Sequence, residues 1–350
     1  MGRNLSDHLD FAALMDNLSV SIQLDKKDAA ASIHLELKKH LNEFDDETLI
    51  TYYLFESRYY LMHKDAVNSA ISLDNAKAHK DHFRDIHWYF LHLAKGILFY
   101  DGGNYQKALQ YYEEAEAYIE QLEDPIAIGE FHLRKAMTYY FLDITNLSVL
   151  HCARAAKVFK TSKRLEFLLA RTQMLQGMNY VDQLNYDLAK KTLLKALTIF
   201  KKNKNQNFIS STNLNLGVLY VKRGLPAVAI SYLHAALQGN QKRIQLKILY
   251  LLTDCYWKTN QPSKAIEAYK EGFQASIEEN NMTKMWEFAM LHKKYEDRLN
   301  FEIVWQEGIN YFQRIEDTYN VRLFSKELAQ YYADKNQHDL AMKYYLLTLT

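Results

Sequence analysis

Along most of this chain small, aromatic and bulky residues return at one fixed spacing, and that spacing restricts it to an array of paired helices. From a small residue, an aromatic follows three positions later, Ala or Ser at twelve, a bulky residue at sixteen and a small one at nineteen. The first copy is Gly96, Phe99, Ala108, Tyr112, Ala115 and the second Ala136, Tyr139, Ser148, Cys152, Ala155. Gly177, Tyr180, Ala189, Leu193, Ala196 and Gly217, Tyr220, Ala229, Leu233, Ala236 follow. A looser fifth reads Thr253, Tyr256, Ala265, Tyr269, Gly272, and a partial copy near the end reads Ala329, Tyr332, Ala341, Tyr345. From Gly96 through Ala136, Gly177 and Gly217 to Thr253 the steps are 40, 41, 40 and 36 residues.

Small residues spaced in this way on two antiparallel helices let the backbones approach, while the aromatic fills the groove beside them. The internal spacing is that of the tetratricopeptide (TPR) repeat, a helical hairpin of about 34 residues, and the longer step predicts longer connections. One hairpin cannot bury its apolar face alone. Stacked neighbours can, and the first helices of successive pairs then line a concave surface suited to extended peptides or partner helices.

Composition agrees with a nearly all-helical chain: only 3 Pro and 11 Gly stand among 350 residues, against 26 Tyr and 17 Phe. The 43 Lys+Arg and 42 Asp+Glu leave a net charge of +1, so no global field exists to hold a polyanion, and nucleic acid is not an expected partner. Cys152 and Cys255 fall at packing positions in different repeats and read as buried thiols. No apolar run reaches the ~20 residues of a membrane span and no leader pattern opens the chain, so a cytoplasmic protein in a reducing compartment is expected.

Residues 1–63 lack the repeat and read as a bundle of three helices: Ser6 to Ile22, Lys26 to Leu41, and a third beginning near Asp45 and Asp46. The polar, weakly periodic segment 64–80 is the expected linker, and 81–350 the repeat domain. The fold class is thus all-α, a three-helix bundle followed by a TPR-like right-handed solenoid. Between 276 and 320 a divergent hairpin is expected. The far end of the array would expose apolar surface, which makes it the expected place for a homodimer contact or docking.

Hydrolytic and phosphate-binding motifs are absent, no cofactor is implied, and the histidines show no metal-ligand spacing, so no metal site is expected. The inner face offers more. Counting two back and one and five forward from each small residue selects one helical stripe: Arg134, Met137, Phe141; Leu175, Met178, Asp182; Asn215, Val218, Lys222; Leu251, Asp254, Lys258. Its mixture of apolar and polar residues suits a groove for a short peptide. Asn215 is the most pointed member, because a carboxamide can both donate to and accept from an extended main chain.

These features together resemble the Rap family of bacterial regulators. The likeness extends over almost the whole chain and is most specific at Tyr52-Tyr53 through Arg58, Glu130-Phe131-His132-Leu133 with Tyr139-Tyr140, Asn179-Tyr180-Val181-Asp182, and Asn213-Leu214-Asn215-Leu216-Gly217 with Tyr220. The resemblance implies a response regulator bound through the N-terminal bundle and a short signalling peptide held in the TPR groove, as in quorum sensing. It implies that Asn215 and Asp182 contact the peptide, and both lie on the stripe found from periodicity; Arg134, Met178 and Asp254 complete the expected peptide contacts. Family phosphatases place a Gln about five residues before the Tyr-Tyr pair to orient water for attack on a phosphoaspartate, and here that position is Glu47. A carboxylate there would repel the phosphoryl group and raise the barrier. Leu18-Ser19 also replaces the family's usual Trp-Tyr pair.

Two readings stay open: a peptide-regulated protein that binds and inhibits a response regulator, and an aspartyl-phosphate phosphatase with Glu47 in the catalytic place. A peptide-receptor transcription factor fits less well, because residues 33–60 hold six Asp+Glu against three Lys+Arg, the wrong sign for a recognition helix. A generic TPR adaptor is compatible with the repeats alone.

Overall fold

The computed structural model describes residues 10–239, 241–296 and 300–349, and these form α-helices joined by short turns with no β-strand. The helices fall into two compact units, residues 1–204 and 205–350.

The first unit contains five helical pairs: α1 (Phe11–Gln23) with α2 (Lys27–Lys39), α3 (Asp46–Met62) with α4 (Ala66–Ala78), α5 (Asp85–Asp101) with α6 (Tyr105–Glu116), α7 (Pro125–Phe141) with α8 (Thr145–Phe159), and α9 (Glu166–Asp182) with α10 (Tyr186–Lys202). The expected start of the first helix at Ser6 lies outside the described residues. Asp45 caps α3 by accepting the Thr48 N–H at 2.9 Å, which fixes its start where the acidic pair predicts. Of the first helices, α3, α5, α7 and α9 adjoin one another in order, so they share the inner face.

The segment 64–80, expected to be a linker, is instead mostly helix α4, paired along α3. Its serines are interior rather than solvated: Ser69 and Ser57 share a hydrogen bond at 2.8 Å, and Ser72 donates to Glu56 at 2.8 Å. The repeat therefore begins one hairpin earlier than its aromatic copies indicate. Ser57, Tyr60, Ser69, Leu73 and Ala76 stand at the same 3, 12, 16 and 19 offsets, 39 residues before the Gly96 copy. Small hydroxyls do the work of Gly and Ala there, which hides the copy from a search for apolar residues.

The offset of sixteen has a direct steric meaning. A Cβ placed on Gly96 would come within 2.4 Å of the Tyr112 ring, and one on Gly177 within 2.6 Å of Leu193 Cγ. The small residue of one helix is the seat of the bulky residue of its partner. Each turn within the five pairs has a residue with positive φ, and in three of them that residue (Lys64, Gly103, Leu184) precedes an Asx residue (Asp65, Asn104, Asn185) whose side chain accepts the N–H three positions on. The long step comes partly from the connections, which in this unit hold 3₁₀ turns at Leu41–Glu43, Lys80–His82, Ile119–Gln121 and Lys163–Leu165, and partly from first helices of 17 residues in α3, α5, α7 and α9.

The second unit comprises α11 (Gln206–Lys222) with α12 (Pro226–Leu237), α13 (Lys242–Lys258) with α14 (Pro262–Glu278), α15 (Met282–Tyr295), α16 (Phe301–Arg314), and α17 (Thr318–Asp334) with α18 (His338–Leu346). Gly217 seats Leu233 at 2.6 Å in the same way. The expected divergent hairpin is α15 and α16, held by Trp305, whose indole N–H donates to the Met290 carbonyl at 2.8 Å. In the last pair the register differs from expectation by one residue: Tyr344 is buried against Tyr332, and Tyr345 turns outward to Gln330. On α18 and beyond it Met342, Leu346 and Leu349 are exposed, the last 81% so. Among the described residues no helix is long and apolar enough to cross a membrane.

Candidate functional site

The inner side of the first unit is tied by buried polar groups that α3 contributes. Glu56 accepts from Tyr52 OH at 2.8 Å and Ser72 at 2.8 Å and meets His34 Nε2 at 3.0 Å. Burial works against its charge, but the bonds from His34, Tyr52 and Ser72 hold its carboxyl below the usual range. Two residues on, Arg58 reaches across to α7 and donates to Glu130 at 2.6 Å, with both side chains almost fully buried. Arg134, one turn further along α7, donates to the other Glu130 oxygen at 3.4 Å. Burial again opposes the charge, and the guanidinium groups of Arg58, Arg134 and Arg171 outweigh it, pulling Glu130 down to about 2.

Glu47 stands in the first turn of α3, exposed, and is ion-paired with Arg84 from the entry to α5. The pair borders a cavity of about 580 Å³ between α1, α3, α5 and the start of α7, within the size range of a small-ligand site. It is lined by apolar Met15, Leu54, Phe55 and Phe90 and by polar Asp16, Arg164 and the buried His87. The His87 Nδ1 accepts the Arg84 N–H at 3.1 Å, which leaves Nε2 to face Thr51 at 3.5 Å. Burial beside Arg84 lowers the His87 pKa. Among the described residues no Asn or Gln lines this cavity.

The expected peptide contacts occupy varied settings. On α9 Met178 is buried, and Asp182 is exposed at the last residue of the helix. Arg134 has a side chain 18% exposed and already shares Glu130. On α11 of the second unit Asn215 is half-buried, and its carboxamide has no hydrogen-bond partner among the described residues. Asp254 departs from the expected free carboxylate. It is 8% exposed, with one oxygen accepting from Tyr295 OH at 2.7 Å and the other from Lys258 at 2.6 Å. To bind a peptide it would have to release those partners.

Other polar residues of the family-like segments prove to be interior ties. Asn179 is fully buried and donates to Ser148 at 2.9 Å. Both cysteines are free and buried, and burial pushes each thiol up to about 12, which removes them as nucleophiles. His132 and His151, which the sequence pattern did not single out, meet Nδ1 to Nδ1 at 3.1 Å, and burial lowers both to about 4. Their separation of 19 residues becomes informative only once α7 and α8 pair. Among the described residues no cluster of three His, Cys, Asp or Glu could hold a metal ion.

No family model matches the chain. It is 23% identical over 341 residues to response regulator aspartate phosphatase I of Bacillus subtilis, covering 94% of this chain and 87% of that protein. With the transcriptional activator NprA of Geobacillus stearothermophilus it shares 25% identity over 336 residues, 91% of this chain and 82% of the relative. Its fold matches a crystal structure of a Rap protein complexed with competence and sporulation factor, with a TM-score of 0.83 at 19% identity over 97% and 96% of the two chains. The apo form of the quorum sensor NprR from B. thuringiensis matches at a TM-score of 0.77, 19% identity and 97% and 98% coverage. Along nearly its whole length the chain is thus similar in sequence to these regulators, and it shares the fold of the Rap and NprR structures.

Proposed function

We propose that this protein binds and inhibits a response regulator through its N-terminal helices, residues 1–63, and that a short quorum-sensing peptide on the inner face of the repeats controls the complex. The observation that carries the reading is Asn215: a half-buried carboxamide with no partner of its own, on the inner-face stripe, able to donate to and accept from a peptide main chain without regard to its side chains. Relatives named as response regulator phosphatases, and a structural neighbour complexed with competence and sporulation factor, support the choice of partner and ligand. In this reading residues 81–350 are the peptide-binding part, the protein works in the cytoplasm, and the peptide acts because it favours one conformation by free energy. The exposed apolar end at α18 is a place for self-association.

The alternative, dephosphorylation of a receiver domain, needs a group that orients water beside an anionic phosphoryl. Glu47 supplies a carboxylate that Arg84 already holds, so sequestration is favoured over turnover. Incubating the protein with a phosphorylated receiver and following the label tests this: we expect a stable complex and label lost at its spontaneous rate. Loss clearly above that rate would make the phosphatase reading the correct one.

A further inference from the structure

We propose that the outward faces of α8 and α10 form a docking surface for an anionic lipid bilayer, with leucines entering the bilayer's surface layer and basic side chains meeting its phosphates. The inference goes beyond the peptide reading above and is independent of it.

The net charge of +1 hides a sharp separation along the chain. Residues 101–130 hold eight Asp+Glu and one Lys, whereas residues 141–204 hold twelve Lys+Arg and four Asp+Glu. Much of that excess lies on α8 and α10, the second helices of two successive pairs, which both pack on α9. Arg154 and Lys157 on α8 and Lys190, Lys191 and Lys195 on α10 are exposed, and among the described residues none of the five has an ion-pair partner. The acids of the segment do not offset them: Glu166 is taken by Lys202, and Asp143, Asp182 and Asp187 each already have a partner.

The same two helices leave apolar side chains facing solvent. Leu147 and Leu150 in the first two turns of α8, with Leu184 and Leu188 at the entry to α10, are 38–69% exposed. The step of 41 residues between these copies puts Leu188 where Leu147 stands and Lys195 where Arg154 stands, so one pattern is presented twice on the same side. Within each helix the leucine and the basic residue are seven positions apart, on one face and separated by about 10 Å along the axis.

That layering selects the partner. Basic residues alone suit any polyanion, but a nucleic acid offers phosphates with no apolar layer for four exposed leucines. A bilayer offers both: apolar side chains of a peripheral protein enter about 5–10 Å into the boundary between headgroups and acyl chains, and basic groups two helical turns above them reach the anionic headgroups.

Co-flotation of the full chain with vesicles tests the proposal, with phosphatidylcholine alone and with phosphatidylcholine containing about one-third phosphatidylglycerol. We expect binding to the mixed vesicles only, reduced by added salt and weakened about tenfold or more by Lys191→Gln/Lys195→Gln and by Leu184→Ser/Leu188→Ser. All four positions are exposed, so both variants should keep the native melting temperature. Failure to bind the mixed vesicles, equal binding to phosphatidylcholine alone, or binding that survives both variants would overturn the proposal. So would tight binding of duplex DNA or polyglutamate that the lysine variant loses and the leucine variant keeps, which would make this face a site for a polyanion without a lipid layer.

Discussion

At the scale of residues, the buried titratable groups give the protein a defined acid response. His132 and His151 touch through Nδ1 and are held neutral, their pKa values lowered from 6.5 to about 4 by burial. The unfolded chain takes up protons below pH 6.5 while the folded one does not, so their contribution to stability is complete above that pH and is lost as pH falls toward 4. Glu130, held at about 2 by its arginines, follows: its contribution is present above about 4.5 and is lost as pH falls through 2. We expect the unfolding free energy to drop by an amount on the order of a few kcal/mol between pH 6.5 and 4. A His132→Gln/His151→Gln double variant should show a much flatter profile in chemical denaturation over that range. An unchanged slope would show that the pair does not titrate as described. None of this is legible in the chain, because the two histidines stand 19 positions apart, and Arg58 stands 72 from Glu130. Spacing of that length has no helical meaning; only the pairing of α7 with α8, and of α3 with α7, creates it.

At the scale of elements, the hairpin is the repeating physical object, and its register depends on the small residue that seats its partner's bulky one. Gly177→Ala would place a methyl 2.6 Å from Leu193 Cγ and 3.5 Å from the Ala189 carbonyl, so the leucine must move or the helices separate. Such overpacking costs about 1–3 kcal/mol. A compensating Leu193→Ala should recover part of the loss in thermal melts, since it frees the space; strictly additive destabilisation would argue against the seating contact. This level was the most readable from sequence. The four regular copies fall where their small and bulky residues place them, because one steric rule repeats. Ser57 to Ala76 was missed as a repeat because serine, which there pairs with serine or with Glu56 inside the fold, counts as polar in isolation. The Tyr344 and Tyr345 pair could not be ordered because adjacent tyrosines offer the same side chain to either register.

At the scale of the whole molecule, the function we propose is binding rather than chemistry. At the position where the resemblance to Rap phosphatases implies a carboxamide, the chain has Glu47 joined to Arg84, and its cysteines are buried with raised pKa values. Of the candidate site, both the stripe and the family resemblance single out Asn215, whose carboxamide has no partner among the described residues. Asp254 was placed on the stripe by periodicity, which gives a face but not a partner; Tyr295, 41 residues away, takes one of its oxygens. The arginine group around Glu130 was visible only as Arg134. In the function we propose, peptide binding and regulator capture are separate acts of one chain, coupled through conformation. Its most direct test is capture of response regulators by the full chain, with and without a fraction of five- to six-residue peptides, compared between the native protein and Asn215→Ala. We predict that the peptides release the regulator from the native protein, while the variant captures as well as before and no longer responds. Loss of capture in the variant, or capture indifferent to peptide in the native protein, would show that the two acts are not separate and coupled as proposed.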